Sequence, residues 1–232
     1  MKFIYLFLFS FLIIIIFLAR QFIINIPALL YWLIKDIKSP KVYFPLYGCT
    51  FFVGKQGSGK TMSMVHELER VRKKYPKAKI YTNFGYAWEN GKLTDISQLL
   101  DTSKYDGNGT IFAIDEIQNI WSCSNSKNFP EDILSIITQQ RKNRVKIYCT
   151  SQVFTRVSKP LREQAHEVCE CSTLMGRYTR YRVYDGFEYA ETYNLSEDNK
   201  YRLRPRKGSC AFVQSDYLRN CYDSYAHIAT LL

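Results

Sequence analysis

The sequence has no C-x-x-C pair and no histidine at metal-ligand spacing, so its local patterning predicts no zinc site, which needs clustered thiolate and imidazole donors. The seven cysteines (Cys49, Cys123, Cys149, Cys169, Cys171, Cys210 and Cys221) are odd in number and dispersed. Cys49, Cys149 and Cys169 stand in strand-like apolar runs, and the expected state is a buried, reduced thiol in a reducing compartment. No internal repeat or low-complexity linker interrupts the chain. Its 232 residues leave room for one α/β domain of ordinary size, about 100–200 residues, plus a short appendage.

Charge is missing altogether from Phe3 to Ala19, which is almost entirely Phe, Leu and Ile. A bilayer span needs about 17–25 such residues. Leu18-Ala19-Arg20 is not an A-x-A type cleavage site and the run is longer than a usual signal-peptide core, so an uncleaved anchor is expected. A second apolar stretch, Phe22 to Ile34, contains Pro27 and ends in Tyr31-Trp32, residue types that favour the membrane interface. Lys35, Lys38 and Lys41 follow it, against Lys2 alone on the other side, which places the remainder of the chain in the cytoplasm by the positive-inside rule. The expected division is a membrane anchor over residues 1–40 and a catalytic domain over 41–232.

Acidic residues are outnumbered. Lys and Arg total 32 against 21 Asp and Glu, a formal charge of +11. Only Lys2 and Arg20 of the basic residues precede residue 35, so the excess belongs to the remainder. Such a balance suits a polyanion or an anionic lipid surface, and it also fits a soluble protein with scattered lysines.

What is present is a phosphate-binding pattern. The strand-like Cys49-Thr50-Phe51-Phe52-Val53 runs into Gly54-Lys55-Gln56-Gly57-Ser58-Gly59-Lys60-Thr61, and a helical pattern follows from Met62 to Lys74. Strand, glycine loop, Lys-Thr and helix are the context of a P-loop (Walker A), in which backbone N–H groups and the helix N-terminus face an anion. Lys60 is placed to reach the β- and γ-phosphates of ATP, and Thr61 to hold Mg²⁺. No Asn-Lys-x-Asp guanine-reading motif occurs, since Asn199-Lys200 is followed by Tyr201-Arg202.

A second apolar strand, Thr110 to Ile114, ends in Asp115-Glu116, the form of a Walker B element. Asp115 is expected to bind Mg²⁺ through its water shell, and Glu116 to orient and help deprotonate the attacking water. A third strand, Val145 to Thr150, ends in Thr150-Ser151-Gln152, with Gln152 the candidate γ-phosphate sensor at the carboxyl edge of an open α/β sheet. From Arg141 to Arg162 the chain has basic residues and no acidic one. That patch could touch DNA, supply an arginine finger to a neighbouring subunit from Arg141, Arg144 or Arg162, or be a solvated face.

Elsewhere, Lys79 to Thr82 reads as a strand and Trp88 to Lys92 as a hairpin around Asn90-Gly91. Asp95 to Leu100, Ile133 to Arg141 and Pro160 to Glu167 read as short helices. The alternating Arg177-Tyr178-Thr179-Arg180-Tyr181-Arg182-Val183-Tyr184, with Glu188 to Tyr193 as a return strand, predicts a basic-aromatic β-ribbon over residues 175–207. The fold class is α/β, a P-loop NTPase (RecA/ASCE-like) with a mainly parallel sheet flanked by helices, an N-terminal transmembrane helix and this C-terminal ribbon.

Together these residues resemble the zonular occludens toxin-like (Zot-like) ATPases, which include filamentous-phage assembly proteins and are similar to the wider FtsK/HerA DNA-pumping class. The resemblance is carried by Gly54 to Thr61, Tyr81-Thr82-Asn83, Ile114-Asp115-Glu116, Gln139-Gln140-Arg141, Thr150-Ser151-Gln152, Leu161-Arg162 and Tyr222-Asp223-Ser224, in that order. It implies a membrane-anchored ATPase that hydrolyses ATP with Mg²⁺ to drive virion assembly and extrusion or DNA translocation and packaging. It also implies a homo-oligomeric ring and, as partners, DNA and virion or secretion-pore proteins. Zot-like proteins generally carry their span after the ATPase domain, whereas here it comes first, so export through a C-terminal exterior domain is not expected and no toxin activity is implied. Two alternatives stay open, a small-molecule kinase and a membrane scaffold whose bound nucleotide only switches its shape.

Overall fold

The computed structural model describes residues 5, 20, 24–35, 37, 43–101, 105, 107–192 and 206–223. The chain forms two compact units, Met1–Val42 and Tyr43–Leu232. In the first, residues 24–35 are helical, with Leu29, Leu30, Tyr31, Trp32, Leu33 and Ile34 all exposed. The anchor expected at Phe3 to Ala19 lies, apart from Tyr5, outside the described residues. Among those described, no helix is long and apolar enough to cross a membrane.

The second unit is built on β1 (Gly48–Val53), β4 (Thr110–Ile114) and β5 (Val145–Ser151), every residue of which is buried. Continuous apolar runs of this kind form strands covered on both faces, and successive side chains serve opposite layers. Phe51, Phe112 and Ile114 enter one layer with Ile133, Ile137, Leu161 and Tyr189. Phe52, Ile111 and Ala113 enter the other with Met64, Val65, Leu68 and Val71.

Those last four lie at helical spacing on α1 (Lys60–Lys74), which ends in Arg72, Lys73 and Lys74 at its negative pole and has no acidic residue in its first turn. The positive pole is therefore left facing the glycine loop without a local carboxylate on the helix.

Further strands are β2 (Lys79–Thr82), β3 (Gly91–Lys92), β6 (Ala165–Leu174), β7 (Tyr178–Asp185) and β8 (Arg206–Val213), completing one sheet in the order β3-β2-β4-β5-β1-β6-β7-β8. Pairing is parallel from β3 to β6 and antiparallel through β6, β7 and β8. Among the described residues of this unit, the other α-helices are α2 (Glu131–Thr138), α3 (Gln140–Asn143), α4 (Lys159–Glu163), α5 (Gly186–Thr192) and α6 (Asp216–Arg219). The observed architecture is thus a mixed, mostly parallel sheet flanked by helices.

Four local expectations are corrected. The segment Trp88 to Lys92 is not a hairpin: β3 runs parallel to β2, and the Asn90 side chain accepts from the Ile80 N–H at 2.8 Å. Glu188 to Thr192, the described part of the expected return strand, is not a strand: Asp185 Oδ1 accepts from the N–H groups of Phe187 and Glu188 at 3.0 and 3.3 Å, a cap that opens α5 instead; Tyr193 lies outside the described residues. The helix expected at Pro160 to Glu167 stops at Glu163 because Ala165 already pairs beside Cys49. That expected at Ile133 to Arg141 is broken at Gln139, which joins α2 to α3. The alternating Arg-Tyr stretch does form β7, between β6 and β8. All seven cysteines are unpaired thiols, and burial pushes that of Cys49 up to about 11.

Candidate functional site

β5 lies between β1 and β4, with Val53 opposite Ser151 and Ile114 opposite Cys149. Because the three strands are parallel, their carboxyl ends coincide, and the segments leaving them meet at one edge, where open α/β sheets bind ligands. Gly54 to Thr61, Asp115-Glu116 and Gln152 are those segments. Gln152, half-buried, is the first residue after β5.

The loop needs its glycines. Gly54 has φ 150° and a Cβ there would stand 2.5 Å from Ser58 Oγ and 3.0 Å from the Cys171 carbonyl oxygen. Gly59, at φ 81°, is left-handed and packed against Thr173 and Thr179. The Ser58 N–H donates to the Lys55 carbonyl at 3.1 Å, which lifts Lys55, Gln56 and Gly57 to the exposed crest while Ser58 and Lys60 are buried. Ser58 Oγ is buried with no hydrogen-bond partner. The Lys60 ammonium folds back over the loop, 3.5 Å from the Lys55 carbonyl oxygen and 3.8 Å from Glu116 Oε1.

Asp115 is the centre of the constellation. Its Oδ1 accepts from Thr61 Oγ1 at 3.0 Å and from Thr150 Oγ1 at 2.5 Å. Thr150 Oγ1 in turn accepts from the Glu116 N–H at 2.8 Å. Burial is the main cause that raises the Asp115 carboxyl above its ordinary range, with Glu116 adding to it; the hydrogen bonds from Thr150 and Thr61 and the charge of Lys60 pull the other way. Glu116 has a left-handed backbone, φ 51°, and its Oε2 accepts from Gln118 Nε2. The Thr61 hydroxyl and the buried Asp115 carboxylate, 3.0 Å apart, form an all-oxygen donor set of the kind that Mg²⁺ takes.

The three arginines named from the sequence do not join this cluster. Arg141 and Arg144 precede β5 and so stand at its amino end, the opposite edge of the sheet. The Arg141 guanidinium lies 5.7 Å over the Tyr47 ring, and Arg144 Nη1 donates to the Gly107 carbonyl at 2.5 Å. Arg162, on α4, comes three residues before Ala165, which pairs with Cys49 at the start of β1; its Nε is buried without a partner.

Other residues emerge only in three dimensions. Asn83, just past β2, clasps the Asp115 backbone. Thr173 and Thr179, at the β6–β7 turn, bring a hydroxyl to the Ser58 carbonyl at 3.1 Å and share a 2.9 Å hydrogen bond, and Gln214 Nε2 donates to Thr179 at 2.8 Å. The Tyr222 phenol is pushed up to about 12 by burial first and by the Asp115 charge second, with Arg219 opposing. The available signal was positional: Thr82 pairs with Ala113, so a polar residue ending β2 borders the end of β4. No comparable signal marks Thr173 or Gln214.

A family model described as zonular occludens toxin (Zot) matches residues 67–217. The match begins beyond Thr61, so the reading of Gly54 to Thr61 stands on its own geometry. The N-terminal domain of zonular occludens toxin from Neisseria meningitidis shares the fold, with a TM-score of 0.53 at 17% identity over 77% of this chain and 100% of that one. The genome packaging NTPase B204 from Sulfolobus turreted icosahedral virus 2, in complex with AMPPCP, aligns with a TM-score of 0.48 at 14% identity, over 60% of this chain and 93% of that one. No curated protein matches the chain.

Proposed function

This chain belongs to the zonular occludens toxin (Zot) family, and from that premise we propose that it is a membrane-anchored P-loop ATPase that drives virion assembly or DNA translocation. The observation that carries the reading is the meeting of Thr61 with Asp115 at 3.0 Å and of Lys60 with Glu116 at 3.8 Å, all at the carboxyl edge of the central strands. The backbone of Gly54 to Thr61 cradles the phosphates of ATP at the open positive pole of α1. Thr61 and Asp115 would hold Mg²⁺, Asp115 through its water shell, and the ion would offset the charge on the β- and γ-phosphates. Lys60 exchanges Glu116 for the phosphate oxygens when ATP enters. Glu116, held by Gln118, then orients water and takes its proton as oxygen attacks the γ-phosphorus and ADP leaves. Gln152, between loop and carboxylates, senses the γ-phosphate.

Arg141, Arg144 and Arg162 all lie towards the amino edge, so an arginine finger drawn from them serves a neighbouring copy in a homo-oligomeric ring. The exposed apolar helix at residues 24–35, preceded by the uncharged Phe3 to Ala19, anchors the chain in a membrane with the ATPase unit on the cytoplasmic side. The excess of Lys and Arg and the exposed Arg180 and Arg182 on β7 suit DNA phosphates.

Steady-state ATP hydrolysis by the detergent-solubilised full chain, with and without single- and double-stranded DNA, tests the proposal. Stimulation by DNA that disappears in Lys60→Ala and Glu116→Gln supports a motor. Hydrolysis indifferent to DNA removes the DNA track and points to a protein partner as the load.

A further inference from the structure

On the sheet face covered by α1, away from the loop's phosphate edge, three potential metal ligands converge from distant parts of the sequence. His66 and Glu67 are neighbours on α1 and Cys210 lies on the edge strand β8. One ligand atom from each, the imidazole nitrogen, a carboxylate oxygen and the thiol sulfur, lies within 4.8 Å of the other two. All three residues are half-buried. The spacing along the chain predicts no zinc site, and this cluster arises only because β8 folds back beside β7, opposing Cys210 to Tyr181.

We propose that His66, Glu67 and Cys210 form a zinc-binding site that ties β8 to the helix following the glycine loop. His66 Nδ1 is buried and has no hydrogen-bond partner, and it faces Glu67 Oε1 at 4.0 Å. A buried ring nitrogen without a partner is costly unless something binds it. The imidazole is held in place by Phe212, stacked on it at 4.0 Å with the planes 4° apart. Glu67 Oε1 accepts from Arg70 at 2.7 Å and from Tyr181, which orients the carboxylate and leaves Oε2 to turn towards an ion. Hydrogen bonds of this kind to a ligand's second atom are the usual support of a zinc site.

The donor set selects the metal. One thiolate, one imidazole and one carboxylate suit borderline-soft Zn²⁺ and not Mg²⁺ or Ca²⁺, which take oxygen alone. Three protein ligands leave the fourth tetrahedral position to water. Burial lowers the basicity of His66, which favours the neutral imidazole that a metal requires, and on binding the Cys210 thiol releases its proton to solvent. The present spread of up to 4.8 Å closes by side-chain rotation, since Zn–S is ~2.3 Å and Zn–N and Zn–O are ~2.0–2.2 Å. The inference is independent of the nucleotide chemistry, because none of these residues belongs to the loop or to the Asp115 cluster.

The test is titration of the chelator-treated, reduced full chain in detergent with Co²⁺, then displacement by Zn²⁺. The expected result is a thiolate-to-cobalt charge-transfer band that saturates at one ion per chain and collapses when Zn²⁺ is added. Cys210→Ser removes the band, His66→Gln weakens binding by about tenfold or more, and Cys123→Ser, at an exposed thiol elsewhere, changes neither. A wild-type measurement guards against misfolded variants: Zn²⁺ should slow alkylation of Cys210 about tenfold or more relative to Cys123. Absence of the band, its persistence in Cys210→Ser, or equal alkylation of the two thiols with and without Zn²⁺ would overturn the proposal.

Discussion

Asn83 holds the backbone of Asp115 from both sides: its Oδ1 accepts from the Asp115 N–H at 2.8 Å and its Nδ2 donates to the Asp115 carbonyl at 3.1 Å. Both residues are buried. Strand pairing ends at Thr82 and Ala113, so the Asn83 side chain takes over where the ladder stops, at the carboxylate proposed to hold Mg²⁺.

Asn83→Ala leaves a buried N–H and carbonyl without partners, at ~1–3 kcal/mol for each group. The expected outcome is a destabilised protein whose hydrolysis falls about 10–100-fold and needs more Mg²⁺, while ATP affinity falls less. Chemical unfolding together with Mg²⁺ titration of activity checks it, and an unchanged Mg²⁺ requirement would remove Asn83 from the positioning role.

The raised carboxyl of Asp115 makes a signed pH prediction. A folded-state value above the ordinary 3.8 means that the folded protein holds a proton which the unfolded chain gives up, so stability falls as pH rises from about 3.8 through the raised value. Asp115→Asn removes this slope. In chelator, melting temperature against pH should fall more steeply for wild type than for the variant across that window. Mg²⁺ should restore the wild type above it and leave the variant unmoved. Parallel curves would mean that Asp115 is not held as a desolvated acid.

Gly59→Ala introduces a Cβ into a left-handed residue wedged against Thr173, where the backbone alone costs ~1–2 kcal/mol. The predicted loss is about tenfold or more in ATP affinity, with β6 and β7 intact by circular dichroism. Gly57, also left-handed but with open space at its Cβ position, should tolerate alanine better. Equal affinities for the two variants would show that the Thr173 contact does not shape the loop.

Much of the fold was legible because β1, β4 and β5 are short uninterrupted apolar runs and α1 carries apolar residues at helical spacing. The glycine loop needed only its flanking elements. The places where the sequence misled have physical causes. The period-two pattern before Gly186 suggested a returning strand, but the cap by Asp185 outweighs it and starts a helix. The Asn90-Gly91 pair suggested a hairpin, yet Asn90 bonds to β2 and the chain continues parallel. Asn83 carries no pattern of its own and matters through the register of β2 with β4. Thr173 and Thr179 reach the loop because the antiparallel β6–β7 turn rises at the same edge, and Gln214, just past β8, bonds to Thr179. The meeting of His66 with Cys210 depends on which strand closes the sheet.

Hydrolysis at the Lys60–Glu116 edge is tested most directly by pairing ATP binding with turnover in wild type and Glu116→Gln. The variant should bind Mg²⁺–ATP at least as tightly, since Lys60 is freed from its 3.8 Å pairing. Its turnover should fall by about 10²–10⁴-fold with loss of the general base. Turnover that survives in Glu116→Gln, or a wild type that binds no ATP, would contradict the proposal.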